Sequence, residues 1–264
     1  MRRLLIGGML VIPISSFAQS ELFGESSYTS QRGLSGLGGG GFSINVDGRF
    51  DRKGATALST PIGYILGSKQ FYAGVSILSG NLSPKFPDFR KDVARNSNGT
   101  ATGMAGYSTP IGDFCFGGIL TTGDFDSSLN VQFSPKGQKG KSRFSIGCQD
   151  VFATAAEHNG AIQKTLGGGN SRSPYAVLTT EIGEGAHATV GAGLKRFKGI
   201  FGSVTVPIGP IQGFVEYDTF NVNFGITSQI YRRSFDLDTR EQSAWASIGV
   251  VRGKYFYWSL GIAF

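Results

Sequence analysis

Alternation of apolar and polar residues with a period of two recurs along this chain and predicts strands rather than helices. It is cleanest at the C-terminus, where Phe256, Trp258, Leu260, Ile262 and Phe264 share one parity and Tyr255, Tyr257, Ser259, Gly261 and Ala263 the other. Upstream, Phe220, Val222, Phe224, Ile226 and Ile230 alternate with Asn221, Asn223, Thr227 and Gln229, and Leu129, Val131 and Phe133 with Ser128, Asn130 and Gln132. Phe42, Ile44, Val46 and Phe50 alternate in the same way with Ser43, Asn45, Asp47 and Arg49. A two-layer sandwich in water and a barrel in lipid both produce such a pattern, so alternation by itself leaves the two architectures open.

The two ends of the chain favour the barrel. Arg2 and Arg3 precede an apolar run from Leu4 to Ile14 and the small residues Ser15, Ser16 and Ala18, which reads as a signal peptide over 1–18. No later segment approaches the ~20 consecutive apolar residues that a membrane-spanning helix needs. A C-terminal Phe264 closing an alternating strand, with Trp258 on the same face, resembles the signal by which the assembly machinery recognises outer-membrane barrels. Together these predict an all-β fold, a single closed antiparallel transmembrane barrel in the bacterial outer membrane. Its apolar parity would face lipid and lipopolysaccharide, and its polar parity a lumen.

The string Ser59-Thr60-Pro61-Ile62-Gly63 returns unchanged at Ser108–Gly112 and, as Thr205-Val206-Pro207-Ile208-Gly209, once more. Proline cannot donate to a ladder and glycine relaxes the backbone, so each copy reads as a turn between strands. With strands placed from 41–51 and 54–60 through to 255–264, the count is about twelve to fourteen, all three turns fall at the periplasmic end, and the long connections 80–98 and 152–172 fall outside. The barrel is thus expected over 41–264. Residues 19–40 read as a flexible Gly/Ser-rich lead-in, with a short plug folding into the lumen as the alternative. Tyr72, Tyr255 and Tyr257 point inward in this scheme, so the lumen is either open or filled.

Composition agrees with the strands: Gly is 41, Phe 21, and charged residues only 16%. The net charge of +7 is a modest excess that suits acidic sugars or lipopolysaccharide phosphates, and nucleic acid is not a partner expected in that compartment. Cys115 and Cys148 fall on opposite strand faces, which argues against a disulfide. Catalysis would need a nucleophile activated by a base. The only histidines are His158, in an outer connection, and His187, beside Glu181 and Glu184, and neither has a spacing that demands it. No calcium loop, zinc spacing or phosphate cradle is present. The expectation is a non-enzymatic barrel with no metal and no cofactor.

Several strings are similar to the YjbH-type outer-membrane family: Ile146-Gly147-Cys148-Gln149-Asp150-Val151, Arg172-Ser173-Pro174-Tyr175-Ala176-Val177, Gly193–Gly202, Glu216-Tyr217-Asp218 and Asn221–Gly225. The resemblance covers the C-terminal half and implies a role in exopolysaccharide production, with polysaccharide or export proteins as partners. Independently of it, Gln149, Asp150, Glu216 and Asp218 fall near the outer ends of strands, and Lys195, Arg196 and Lys198 form the densest basic group at an outer turn. These are the candidate glycan or lipopolysaccharide contacts. Assistance to exopolysaccharide assembly or secretion is the leading expectation, and a small-solute porin the alternative.

Overall fold

The computed structural model describes residues 41–78, 99–121, 127–152, 172–194, 197, 199–219, 222–234, 241–251, 253 and 255–264. The signal peptide, the lead-in 19–40, His158, Lys195, Arg196 and Lys198 lie outside the described residues.

Twelve strands form one closed antiparallel barrel: β1 (Phe71–Leu78), β2 (Gly99–Ser108), β3 (Gly112–Thr121), β4 (Ser127–Pro135), β5 (Ser142–Gln149), β6 (Ser173–Gly183), β7 (Ala186–Gly193), β8 (Gly199–Ile208), β9 (Ile211–Tyr217), β10 (Val222–Ser234), β11 (Glu241–Val251) and β12 (Tyr255–Ala263). Each strand pairs with its neighbours in sequence, and β1 pairs with β12 from Tyr72↔Ala263 to Leu78↔Tyr257. Phe264 extends this seam, its backbone exchanging hydrogen bonds of 2.6 and 3.0 Å with Phe71 while the two rings stack at 5.8 Å. Closure gives every strand two neighbours, the condition a sheet must meet to sit in hydrocarbon, although β4 and β5 pair over three residues only and Phe144 N turns to the Gln138 side chain.

The parity of the sequence decides the faces. Val75, Phe116, Ile146, Val190, Ile248 and Leu260 are exposed on the outer surface, whereas Asn130, Gln132, Ser145, Thr179 and Asn223 are buried within. In β12, Phe256, Trp258, Leu260 and Ile262 point out, and Tyr257, Ser259 and Ala263 point in. Cys115 is buried in the lumen, and Cys148 lies on the outer face with Phe144 and Ile146.

Residues 41–51 and 54–60 depart from expectation. They contribute no barrel strand; their only bridges are Ile44↔Phe50 and Ile44↔Ala55, and the chain over 41–44 and 54–66 lies buried inside the barrel, with exposed residues in the 45–53 reversal at one end. Two tight turns explain why. Gly48 takes φ 76°, its amide donating to Asn45 O, while Asn45 Oδ1 accepts from Asp47 N and Arg49 N; then Gly54 N donates to Asp51 O. A segment reversed twice within ten residues has no length left for a ladder. The apolar parity Phe42, Ile44, Val46 and Phe50 therefore meets carbon inside, in one cluster with Tyr72, Met104, Cys115, Trp245 and Ala263, instead of lipid outside.

The repeated string divides in the same way. Thr109 N and its hydroxyl bond Gly112 O, closing the β2–β3 turn, and Gly209 at φ 60° closes β8–β9; both turns share the end of the barrel that holds Phe264. That end is called the near end below. Ser59–Gly63, identical to the first of these turns, runs through the lumen. Ile62 is 1% exposed, against 70% for Ile111 and 53% for Ile208.

Trp245, in the interior cluster 6.4 Å from Phe50, tests the packing. Trp245→Ala is expected to cost about 3–5 kcal/mol, read as a lower midpoint for urea unfolding in detergent. Trp258→Ala, on the outer face, is expected to cost clearly less; equal losses would contradict a packed lumen.

Candidate functional site

Among the described residues, the interior of the barrel is where many polar side chains come together, and residues 41–66 occupy it as a plug. Inward positions of five strands hold that plug by hydrogen bonds to its backbone. Gln132 (β4) donates to Ile62 O at 2.7 Å, and Ser145 (β5) to Gly63 O at 2.7 Å. Thr179 (β6) accepts from Gly63 N at 2.7 Å. Thr205 (β8) accepts from Thr56 N and donates to Thr56 O, at 3.2 and 2.8 Å. Gln212 (β9) donates to Gly54 O and Gly185 O, tying the plug to the β6–β7 turn. Close approach is needed elsewhere: a Cβ on Gly106 of β2 would overlap the carbonyls of Leu66 and Gly67.

The strongest of these contacts is made by Glu216 at the far end of β9. Its carboxylate, 1% exposed, accepts from the amides of Leu58, Ser59 and Thr60 at 2.9–3.2 Å and from the hydroxyls of Ser59 and Thr60 at 2.5 and 3.0 Å. Asn223 Nδ2 adds a bond of 2.8 Å from β10 and also reaches Asp218 at 3.2 Å. Three successive amides turned toward one acceptor form a concave anion receptor. Among the described residues no lysine or arginine pairs with this carboxylate; backbone and hydroxyl donors stabilise the charge that burial would otherwise penalise by several kcal/mol.

The sequence-derived contact residues thus separate. Gln149, Asp150, Glu216 and Asp218 are all buried at the far ends of strands, not presented to the exterior. Asp150, at φ 53°, donates its amide to Asn130 Oδ1, whereas both amide atoms of Gln149 lack a hydrogen-bond partner. Lys195, Arg196 and Lys198 lie outside the described residues. Trp258 and Phe264 sit on the outer surface beside the seam. His187 is buried in the lumen with its ring edge-on to Tyr64 at 5.6 Å. Sequence reasoning placed Gln132 and Asn223 at polar parity but named none of Gln132, Thr179, Thr205, Gln212 and Asn223 as a site residue. Their signal was an amide or hydroxyl at inward parity, which says that a partner is needed without saying which.

No protein-family model matches this sequence, and no curated protein does. Two solved structures are similar in fold. A KdgM porin has a TM-score of 0.45 at 8% identity, over 74% of this chain and 98% of the porin. A KdgM porin in complex with disordered oligogalacturonate has a TM-score of 0.44 at 7% identity, with the same shares covered.

The plug contact is testable directly. Glu216→Ala strands the donors of Leu58–Thr60, at about 1–3 kcal/mol for each group left without a partner. Hydrogen exchange at these amides is expected to accelerate strongly, with Glu216→Gln, which keeps an acceptor oxygen, in between. Protection unchanged in Glu216→Ala would show that the carboxylate does not hold the plug.

Proposed function

We propose that this chain is a non-enzymatic outer-membrane barrel whose lumen is a solute channel kept shut by residues 41–66, conducting when that segment separates from the wall. The near end, with its short turns and the C-terminus, faces the periplasm. The apolar outer surface, the closed ladder and the signal-peptide pattern of residues 1–18 support the location.

The observation that carries the channel reading is the Glu216 contact. A plug held only by packed carbon would be one body with the barrel. This one is held on one side by hydrogen bonds that water is able to replace, through a carboxylate that a purely structural core would not place at 1% exposure. The narrower reading, assistance to exopolysaccharide secretion, rests on the resemblance of the C-terminal half to the YjbH-type family. It stands as a use to which such a channel is put.

In planar bilayers the wild-type protein is expected to stay closed for long periods with brief openings. Ser59→Ala combined with Thr60→Ala removes two hydroxyl donors from Glu216 while sparing the backbone ones, and is expected to raise the open fraction severalfold. Folded protein that passes no current in either form would rule out the channel. Loss of secreted polysaccharide on deletion, with unchanged small-solute uptake, would favour the narrower reading.

A further inference from the structure

The plug has two unlike sides. Toward β11, β12, β1, β2 and β3 it presents carbon: Phe42 lies 4.3 Å from the ring of Tyr72, Phe50 lies 6.4 Å from Trp245, and Met104 and Cys115 complete the cluster. Toward β4–β10 it presents mainly amides and carbonyls, met by Gln132, Ser145, Thr179, Thr205, Gln212 and Glu216, with Leu58 against Phe214 and the Tyr64 ring against His187 as the smaller carbon contacts there. Water entering the lumen replaces hydrogen bonds at modest net cost, whereas exposing packed carbon forfeits its burial outright. The polar side is the weaker seam.

Resting on the channel reading, we infer that the open path runs along the β4–β10 wall, with the plug still seated on the carbon side, and that Glu216 makes this path selective for cations over anions. The buried charged groups described on that wall are acidic toward the far end, Asp150, Glu216 and Asp218, while Arg172 stands exposed at the mouth, its Nε donating to Val151 O. His187 also faces the lumen. At the near-end rim Glu181 pairs with Lys141, and Arg143 rests its guanidinium, still charged, on the carbonyls of Gly140 and Ser142. Between rim and far end no described lysine or arginine points inward. When Leu58–Thr60 withdraw, the Glu216 carboxylate keeps Asn223 and turns its remaining charge toward the water path. A single uncompensated carboxylate in a narrow lumen of low dielectric draws cations in and repels anions.

The experiment is the reversal potential of the full mature chain in a planar bilayer under a KCl gradient. Wild type is expected to reverse on the cation side. Glu216→Gln is expected to bring the value toward zero, and Asp218→Asn to move it in the same direction by less. A water-soluble thiol reagent is expected to block a Thr205→Cys channel, while native Cys115, on the carbon side, remains unmodified. A zero or anion-side potential in wild type, an unchanged potential in Glu216→Gln, or modification of Cys115 with Thr205→Cys spared overturns this inference but leaves a conducting barrel. Absence of current in wild type and in the Ser59→Ala, Thr60→Ala double variant removes the channel reading, and this one with it.

Discussion

A backbone amide taken out of water must find an acceptor, and the whole structure is an answer to that requirement. For β1–β12 the answer is the closed ladder, in which every strand has two neighbours and Phe264 completes the seam against Phe71. For residues 41–66 no ladder is at hand, because two tight turns break the segment before it can extend. Side chains of the wall take the place of a neighbouring strand. Glu216 is where this substitution is densest, three consecutive amides and two hydroxyls meeting one carboxylate. Outer and inner faces are therefore linked: the alternation that turns Val215 outward also turns Glu216 in.

Energetics give the lumen its asymmetry. On the carbon side, burial is worth about 25 cal/mol per Å², and rings such as Phe42, Tyr72 and Trp245 are large enough for that to amount to several kcal/mol. On the polar side, each neutral hydrogen bond returns only about 0.5–1.5 kcal/mol over its equivalent in water, and bonds to a charge about 1.5–3. The polar seam is strong only as a set, and most of its strength is concentrated at Glu216. Loosening one residue there alters the hold on Leu58, Ser59 and Thr60 together. Loosening Thr205 affects Thr56 alone.

The sequence was most legible where pattern and environment have a single solution. In β12 a ten-residue alternation ending in phenylalanine has one apolar face and one small, hydroxylated face, and lipid outside with polar groups inside satisfies both. Around Phe42 the same alternation has two solutions, since carbon is equally well buried in a lumen that already holds Tyr72 and Trp245. The deciding information was in Gly48 and Gly54, whose turns prevent a ladder, rather than in the alternation itself. The repeated Ser-Thr-Pro-Ile-Gly string misleads for a related reason. A stretch that frees its amides from a ladder makes a good turn at a rim and an equally good donor set for a buried carboxylate, and only Glu216 opposite Ser59–Thr60 distinguishes the two. Glu216 and Asp218 were recognisable as acids near strand ends, expected there as glycan contacts; that the chain's own backbone answers Glu216 was not readable from spacing, because 156 or more residues separate the partners.

Covalent continuity sets how such a plug behaves. Residue 66 passes into β1 through a turn at the near end, where Gln70 N donates to Gly67 O, Lys69 stands at φ 64°, and Gly106 N of β2 donates to Gln70 O. The exposed 45–53 reversal sits at the same end, its Lys53 paired with Glu184 of the β6–β7 turn. A segment hinged within four residues of its wall never leaves; short tethers hold a partner at roughly millimolar effective concentration. If the plug opens as proposed, closure is an intramolecular equilibrium, independent of how much protein the membrane holds. What sets the balance is the difference between the donors Glu216 finds in Leu58–Thr60 and those it finds in water, a quantity the far-end wall controls without moving a strand. On the proposed channel reading, a barrel arranged in this way would regulate access through the chemistry of one inward carboxylate, with the rigidity of the twelve-stranded ladder confining the change to the seam.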